Sequence, residues 1–71
     1  MIVTVTKGRK YKGEHRYTLT FSAPPDRTFG PYDFAEAGKE LYVAALLPRM
    51  DARNLVLDAF ANGSATAECG S

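Results

Sequence analysis

The sequence predicts an α+β domain in which an N-terminal antiparallel β-hairpin packs on one or two helices, an order written ββαα. Apolar and polar residues alternate near the N-terminus, which is the pattern of a half-buried strand. From Phe34 onward the apolar residues recur at helical spacing instead. The length of 71 residues leaves room for one hydrophobic core.

Two strands are predicted in the first third of the chain. Val3 and Val5 alternate with threonines, and residues 15–21 repeat the pattern with Tyr17, Leu19 and Phe21 on one face. The charged stretch between them contains two glycines, which indicates a hairpin connection. His15 is expected to be an exposed residue of this connection.

Proline and glycine punctuate the region before the first helix. Pro24 and Pro25 lack the backbone donor that a ladder needs, so they are expected to stop the second strand. Residues 27–29 then suggest a short third strand, and the Gly30-Pro31 pair predicts another turn.

A helix is predicted to begin after Asp33. This residue is a good N-cap, and Glu36 has the spacing that completes a capping box. Gly38 is unfavourable inside a helix, and a close approach to the sheet is the expected reason. Pro48 should end the helix at about Leu47. The apolar positions at helical spacing are Phe34, Ala37, Leu41, Ala44 and Ala45.

The last third allows two interpretations. In the first, Asp51 caps a second helix that stops at Asn62-Gly63, with one apolar stripe formed by Ala52, Leu55, Val56, Ala59 and Phe60. In the second, residues 54–61 form a strand, Asn62-Gly63 is a hairpin turn, and residues 64–68 return, which gives ββαββ. The helix is favoured because alanine is a poor strand former. We therefore expect one compact domain over residues 1–63 and a flexible tail over 64–71.

Composition excludes several classes of protein. Cys69 is the only cysteine, so the chain has no internal disulfide, and with His15 alone beside it a structural zinc site is nearly excluded. No phosphate-binding loop or nucleophile–base pair is found, so we expect neither catalytic residues nor a cofactor. No apolar run approaches a membrane span, and a single thiol without an export signal favours the cytoplasm.

Charge is concentrated at the hairpin. Residues 1–27 hold six Lys or Arg against two acids, whereas residues 28–71 hold three against six. We expect the basic hairpin to contact a partner, either an acidic protein surface or the phosphates of a nucleic acid, with solvation as the plain alternative. Its residues are Lys7, Arg9, Lys10, Tyr11, Lys12 and Arg16.

Apolar residues exceed what a core of this size can hold. An exposed apolar patch is therefore expected as a second, weaker contact surface. Its candidates are Phe29, Tyr32, Tyr42, Leu47 and Met50.

These observations favour a small non-enzymatic module that binds a larger protein or nucleoprotein complex, as an inhibitor or adaptor does. The alternative is a small nucleic-acid-binding protein that uses the hairpin, and self-association stays open. In general type, by its size and lack of motifs, the chain resembles inhibitors encoded by phages and mobile elements, such as anti-CRISPR proteins. That resemblance implies action by occupying a surface, with the acidic residues of the second half facing a basic channel. No matching string of residues carries it.

Overall fold

The fold is built from six elements in a computed structural model that describes residues 1–22 and 27–68. The strands form one antiparallel sheet in the order β3-β2-β1-β4. The helices pack on one face of it, which confirms the predicted α+β class. The predicted stop at Pro24-Pro25 and the thiol of Cys69 lie outside the described residues. The elements are β1 (Ile2–Tyr11), β2 (Glu14–Phe21), β3 (Arg27–Tyr32), α1 (Phe34–Val43), α2 (Arg49–Asn62) and β4 (Ser64–Glu68).

The predicted hairpin is confirmed as the pair β1–β2. Its tight turn is Lys12-Gly13, with φ of 52° and 85°, the positive values that a type I′ hairpin turn requires. The register shifts between Lys7 and Lys10, so that two residues of β1 oppose one residue of β2. This bulge bends the hairpin tip and changes how its side chains are divided between the two faces.

The third strand is longer than predicted. It continues through Gly30-Pro31 to Tyr32, so the pair is an irregularity inside an edge strand rather than a turn. An edge strand tolerates proline because no neighbour requires its missing donor. At Gly30 φ is 120°, and a Cβ there would lie 2.8 Å from the carbonyl oxygen of Tyr17. Only glycine fits that approach.

Helix α1 begins as predicted and ends early. The Asp33 carboxylate accepts from the Glu36 N–H at 2.7 Å, and the Glu36 carboxylate accepts from the Asp33 N–H at 3.5 Å. The last helical residue is Val43, not Leu47. Leu46 turns the chain with φ of 58°, and the Leu47 N–H then donates to the Leu41 carbonyl at 3.2 Å. The chain therefore leaves the helix before Pro48 forces it to.

The helical interpretation of the last third is confirmed, but its cap is not Asp51. Pro48 occupies the N-cap position and Arg49 begins α2, which places Asp51 inside the first turn. Proline suits this site because the first helical N–H groups have no partner in the helix. The helix ends at Gly63, whose φ of 91° gives the predicted left-handed stop.

The predicted tail is corrected for residues 64–68, which form β4. This strand pairs antiparallel with β1, from Thr6 opposite Ser64 to Ile2 opposite Glu68. The turn at Gly63 directs the chain back along the open edge of β1, so backbone pairing outweighs the poor strand propensity of alanine. Residues 69–71 lie outside the described residues.

The core lies between the sheet and the two helices. Val3, Val5, Tyr17, Leu19 and Phe21 supply the sheet side, as predicted. The helices contribute Ala37, Leu41, Ala52, Leu55, Val56 and Ala59, and Ala45 follows α1. The many alanines let both helices approach the sheet closely, and they leave several larger apolar side chains outside the core.

Candidate functional site

A groove runs along α1 and α2, from a hollow shared with the hairpin end of the sheet to a hollow lined by the two helices alone. At one end Phe34, which opens α1, faces Leu57 and Phe60 near the end of α2. At the other end Tyr42 and Val43 face the beginning of α2. The two helices are therefore antiparallel, and Phe34 lines both of the adjoining hollows, of about 480 and 510 Å³.

The walls of the groove are apolar and accessible. Phe34 and Leu57 are about two-fifths exposed, Phe60 is half exposed, and Val43 is more than half exposed. Small residues, Ala35 and Gly38, line the same hollow as Tyr42. Apolar side chains held open in a continuous depression are typical of a contact surface for another molecule.

Cations border the groove at both ends. Lys39, Arg49 and Arg53 line the hollow beside Tyr42, and the Arg49 guanidinium lies 4.9 Å from the centre of the Tyr42 ring. Lys10 and His15 line the hollow beside Phe34, where Glu14 is the carboxylate among the lining residues. The groove is thus an apolar surface with a net positive border.

The acidic residues of the helices lie on their outer sides. Asp51 and Asp58 are seven residues apart on α2, about half a turn from Arg49 and Arg53 at 100° per residue. On α1, Glu36 and Glu40 occupy the side away from the groove by the same spacing. The acidic character of the second half, seen in the sequence, is therefore turned away from the groove.

The basic hairpin cluster is divided between the two faces of the sheet. Lys7 and Lys10 lie on the helix face, because Lys7 is paired with buried Tyr17 and Lys10 with His15. Arg16 follows the opposite alternation, and the bulge places Arg9 beside it on the open face. Lys12 is in the turn. The basic residues that are clustered in the sequence therefore contribute to two separate surfaces, one on each face of the sheet.

Several hairpin side chains contact one another or the helices. The Lys7 ammonium donates to the Phe60 carbonyl at 2.8 Å and lies 5.0 Å from the centre of that ring. The Arg16 guanidinium lies 5.0 Å and the Lys12 ammonium 5.5 Å from the centre of the Tyr11 ring. Arg16 also lies 3.9 Å from the Glu36 carboxylate. Exposed ion pairs of this length contribute little stability, so they leave these cations available.

His15 is half-buried on β2, not exposed in the connection as predicted. Its Nδ1 lies 3.1 Å from the Gly8 carbonyl oxygen, which can only accept, so Nδ1 carries the hydrogen. Its ring meets Phe60 edge-on at 5.8 Å. The histidine thereby joins the bulge of β1 to the end of α2.

The residues predicted to form an apolar patch do not lie together. Phe29 packs edge-on against Phe21 at 5.7 Å, and Tyr32 is half-buried beside Tyr17 on β3. Tyr42 and Leu47 share a hollow at the corner between the helices. Met50 is 75% exposed near the start of α2. Of this set, Tyr42 belongs to the groove.

Most of the groove residues are not marked as a binding surface by the sequence. Phe34 and Phe60 fit the predicted core stripes of their helices, but they lie at the margins of those stripes and are exposed. Arg49, Arg53 and Lys39 gave no signal because isolated cations on helices are common. Gly38 is the groove residue that the sequence does single out, because glycine is unfavourable inside a helix. Its predicted close approach to the sheet is wrong, because a Cβ built there meets nothing within 4 Å.

Among the residues that the structure describes, the pKa is shifted at Asp33, outside the groove, and at Tyr17, which lines the hollow beside Phe34. The Glu36 backbone N–H holds the pKa of Asp33 below its usual value, and burial raises the pKa of Tyr17. The cap of α1 explains the shift at Asp33, and burial in the core explains the shift at Tyr17. Within residues 1–22 and 27–68, no three His, Cys, Asp or Glu side chains are grouped as a metal site requires.

Comparison with known proteins finds no family model, no curated protein and no solved structure that matches this chain. In the part of the chain that the structure describes, no helix has the length and apolar character needed to cross a bilayer.

Proposed function

We propose that this chain is a protein-binding module whose α1–α2 groove takes an acidic amphipathic helix of a larger partner. The module acts by occupying that helix, as an inhibitor or adaptor does. A groove between two antiparallel helices offers a third helix an apolar surface of roughly 15 Å, the length of ten residues. The basic hairpin contributes Lys10 at one end of it.

Gly38 is the observation that supports this proposal most strongly. A glycine inside a helix costs roughly 1 kcal/mol relative to alanine. Neither packing nor φ requires it here, since a Cβ at this position meets open space and α1 is regular. The space that Gly38 leaves is in the groove, between Ala35 and Tyr42. Room for a ligand side chain is a physical reason for the residue.

The positive charge around the groove indicates which class of partner can bind there. The groove is bordered by Lys10, Lys39, Arg49 and Arg53, with Glu14 at one end. A helix with carboxylates on both sides of an apolar stripe matches this border. A basic helix is repelled by it.

The direct test uses a designed helical peptide of roughly four turns, with leucines on one face and glutamates on both flanks of that face. Titration followed by NMR is expected to shift the amide signals of Phe34, Gly38, Tyr42 and Leu57. The matched control is the same peptide with lysines in place of glutamates, which is expected to bind at least about tenfold more weakly.

Two variants of the chain separate binding from folding. Gly38→Leu fills the space in the groove and improves helix propensity, so it is expected to raise stability and weaken peptide binding at least about tenfold. Arg49→Glu with Arg53→Glu should weaken binding similarly, whereas Arg9→Glu on the open sheet face should not. The proposal fails if the acidic peptide shifts no groove signals at millimolar concentration, or if Gly38→Leu binds it as well as the parent chain does.

A further inference from the structure

The open face of the sheet carries hydroxyl groups in two rows that cross the strands. In the first row, Thr28 lies opposite Thr20, Thr20 opposite Thr4, and Thr4 opposite Thr66, so one threonine comes from each strand. In the second row, Thr18 lies opposite Thr6 and Thr6 opposite Ser64. These side chains are half-buried or exposed, because the helices cover only the other face.

The hairpin end of this face adds charge and one aromatic ring. Arg9, Tyr11, Arg16 and Thr18 line a depression of about 580 Å³ together with Gly8, Lys10 and Pro31. The Tyr11 ring is 55% exposed, with the cations of Arg16 and Lys12 close to it. Glu14 is the neighbouring carboxylate on the strand opposite Tyr11, and Glu36 lies beside Arg16.

We infer that this open face binds single-stranded nucleic acid, with phosphates on Arg9 and Arg16, a base on Tyr11, and the backbone along the threonine rows. Guanidinium and hydroxyl groups are the donors that proteins use for phosphate and sugar oxygens. An exposed ring beside a cationic track is the arrangement that stacks unpaired bases. The site lies on the face opposite the groove, so it goes beyond the proposed function.

A single strand fits this face better than a duplex or a protein does. The cations are confined to one end, whereas a duplex binder is basic over most of one face. Tyr11 requires a base that is not stacked in a helix. The rest of the face is hydroxyl-rich and offers few apolar anchors, which protein interfaces need at their centre.

The experiment measures fluorescence anisotropy of a labelled oligo-dT of roughly a dozen nucleotides, long enough to cross one small domain. Saturable binding is expected at low salt, with log K falling by about 2 per tenfold rise in salt, as expected for about three phosphate contacts. Arg9→Gln with Arg16→Gln is expected to weaken binding at least about tenfold. Tyr11→Ala is expected to weaken it by about tenfold.

Threonine variants test whether the rows themselves take part. Thr6→Val with Thr18→Val keeps the shape and strand propensity of the side chains and removes two hydroxyls, so a loss of a few-fold in affinity is expected with folding intact. Arg49→Gln with Arg53→Gln on the helices removes the same two charges, so it is the matched control and should leave affinity unchanged. Gly38→Leu should also leave it unchanged, which keeps this test independent of the groove.

Three results overturn the inference. One is the absence of oligo-dT binding at low salt. The second is an equal loss of affinity in Arg49→Gln with Arg53→Gln and in Arg9→Gln with Arg16→Gln, which indicates only diffuse charge attraction. The third is competition by a polyglutamate peptide of equal charge as effective as that of unlabelled oligo-dT, which assigns the face to an acidic protein instead.

Discussion

The Lys7 side chain donates a hydrogen bond to the backbone carbonyl of Phe60, 53 residues away in the chain, at 2.8 Å. Carbonyls in the last turn of a helix have no partner within it, and α2 has no Lys or Arg in its own last turn. The sheet therefore supplies the cation that favours the negative end of the helix. The same ammonium lies against the Phe60 ring, which fixes one wall of the groove.

Removing the Lys7 ammonium should lower the free energy of unfolding and disturb the groove wall that the Phe60 ring forms. Lys7→Met keeps the apolar stem and removes the donor, so the free energy of unfolding in urea is expected to fall by about 1 kcal/mol. Lys39→Met, on the exposed surface of α1, is the control and should stay within about 0.5 kcal/mol of the parent chain. Equal stabilities for Lys7→Met and the control would show that the contact contributes nothing.

Leu46 is held in a conformation that costs energy. Its φ is 58°, and its side chain is 74% exposed, so burial does not compensate for the left-handed backbone. Leu46→Gly is expected to stabilise the chain by about 1 kcal/mol, measured by thermal or urea unfolding. Leu57→Gly, inside α2, is expected to destabilise it instead. A loss of stability in Leu46→Gly would mean that the leucine makes stabilising contacts.

The cap of α1 makes stability depend on pH. The Glu36 N–H donates to the Asp33 carboxylate and lowers its pKa below the value in the unfolded chain. Stability from this charge is fully present above about pH 4 and is lost as pH falls through the lowered pKa of the folded state. Protonation in acid removes the charge that the helix N-terminus favours.

Melting curves of Asp33→Asn and of the parent chain, recorded from neutral pH down to about pH 2, test this dependence of stability on pH. Asparagine keeps a capping oxygen and lacks the charge, so the parent chain is expected to melt a few degrees higher at neutral pH. The two curves should converge in acid. Asp58→Asn, in the third turn of α2, controls for the loss of a carboxylate elsewhere. A gap between Asp33→Asn and the parent that stays constant down to pH 2 would contradict the assigned cause.

Local signals predicted most of the fold correctly. The Asp33–Glu36 capping box needs only residues three apart, and the alternation in β2 identifies its buried face. The sequence of α2 is less decisive, because it also suits a hairpin at Asn62-Gly63. Four of the five residues predicted for its apolar stripe are buried. Phe60 is the exception, because Lys7 and His15 hold its ring at the edge of the sheet.

Long-range pairing was beyond the reach of sequence patterns. β4 forms because the edge of β1 is open where α2 ends. No pattern within residues 64–68 indicates that β1 is the strand with which they pair. The division of the hairpin cations between two faces depends on the bulge between Lys7 and Lys10, which no turn signal marks. The groove likewise needs both helices in place before its walls can be recognised.

The pairing of β4 with β1 makes a prediction that separates a strand from a tail. The Lys7 N–H donates to the Gly63 carbonyl at 2.8 Å, so by alternation the backbone N–H of Ala65 faces β1 and that of Thr66 faces outward. Ala65→Pro removes a ladder donor and is expected to lower the free energy of unfolding by at least about 1 kcal/mol more than Thr66→Pro does. Equilibrium urea unfolding measures the difference. Proline at 66 keeps the ladder because the donor that it removes points to solvent. Two prolines of equal and negligible effect would mean that residues 64–68 add no stability through pairing, and a larger loss at Thr66 would reverse the assigned register.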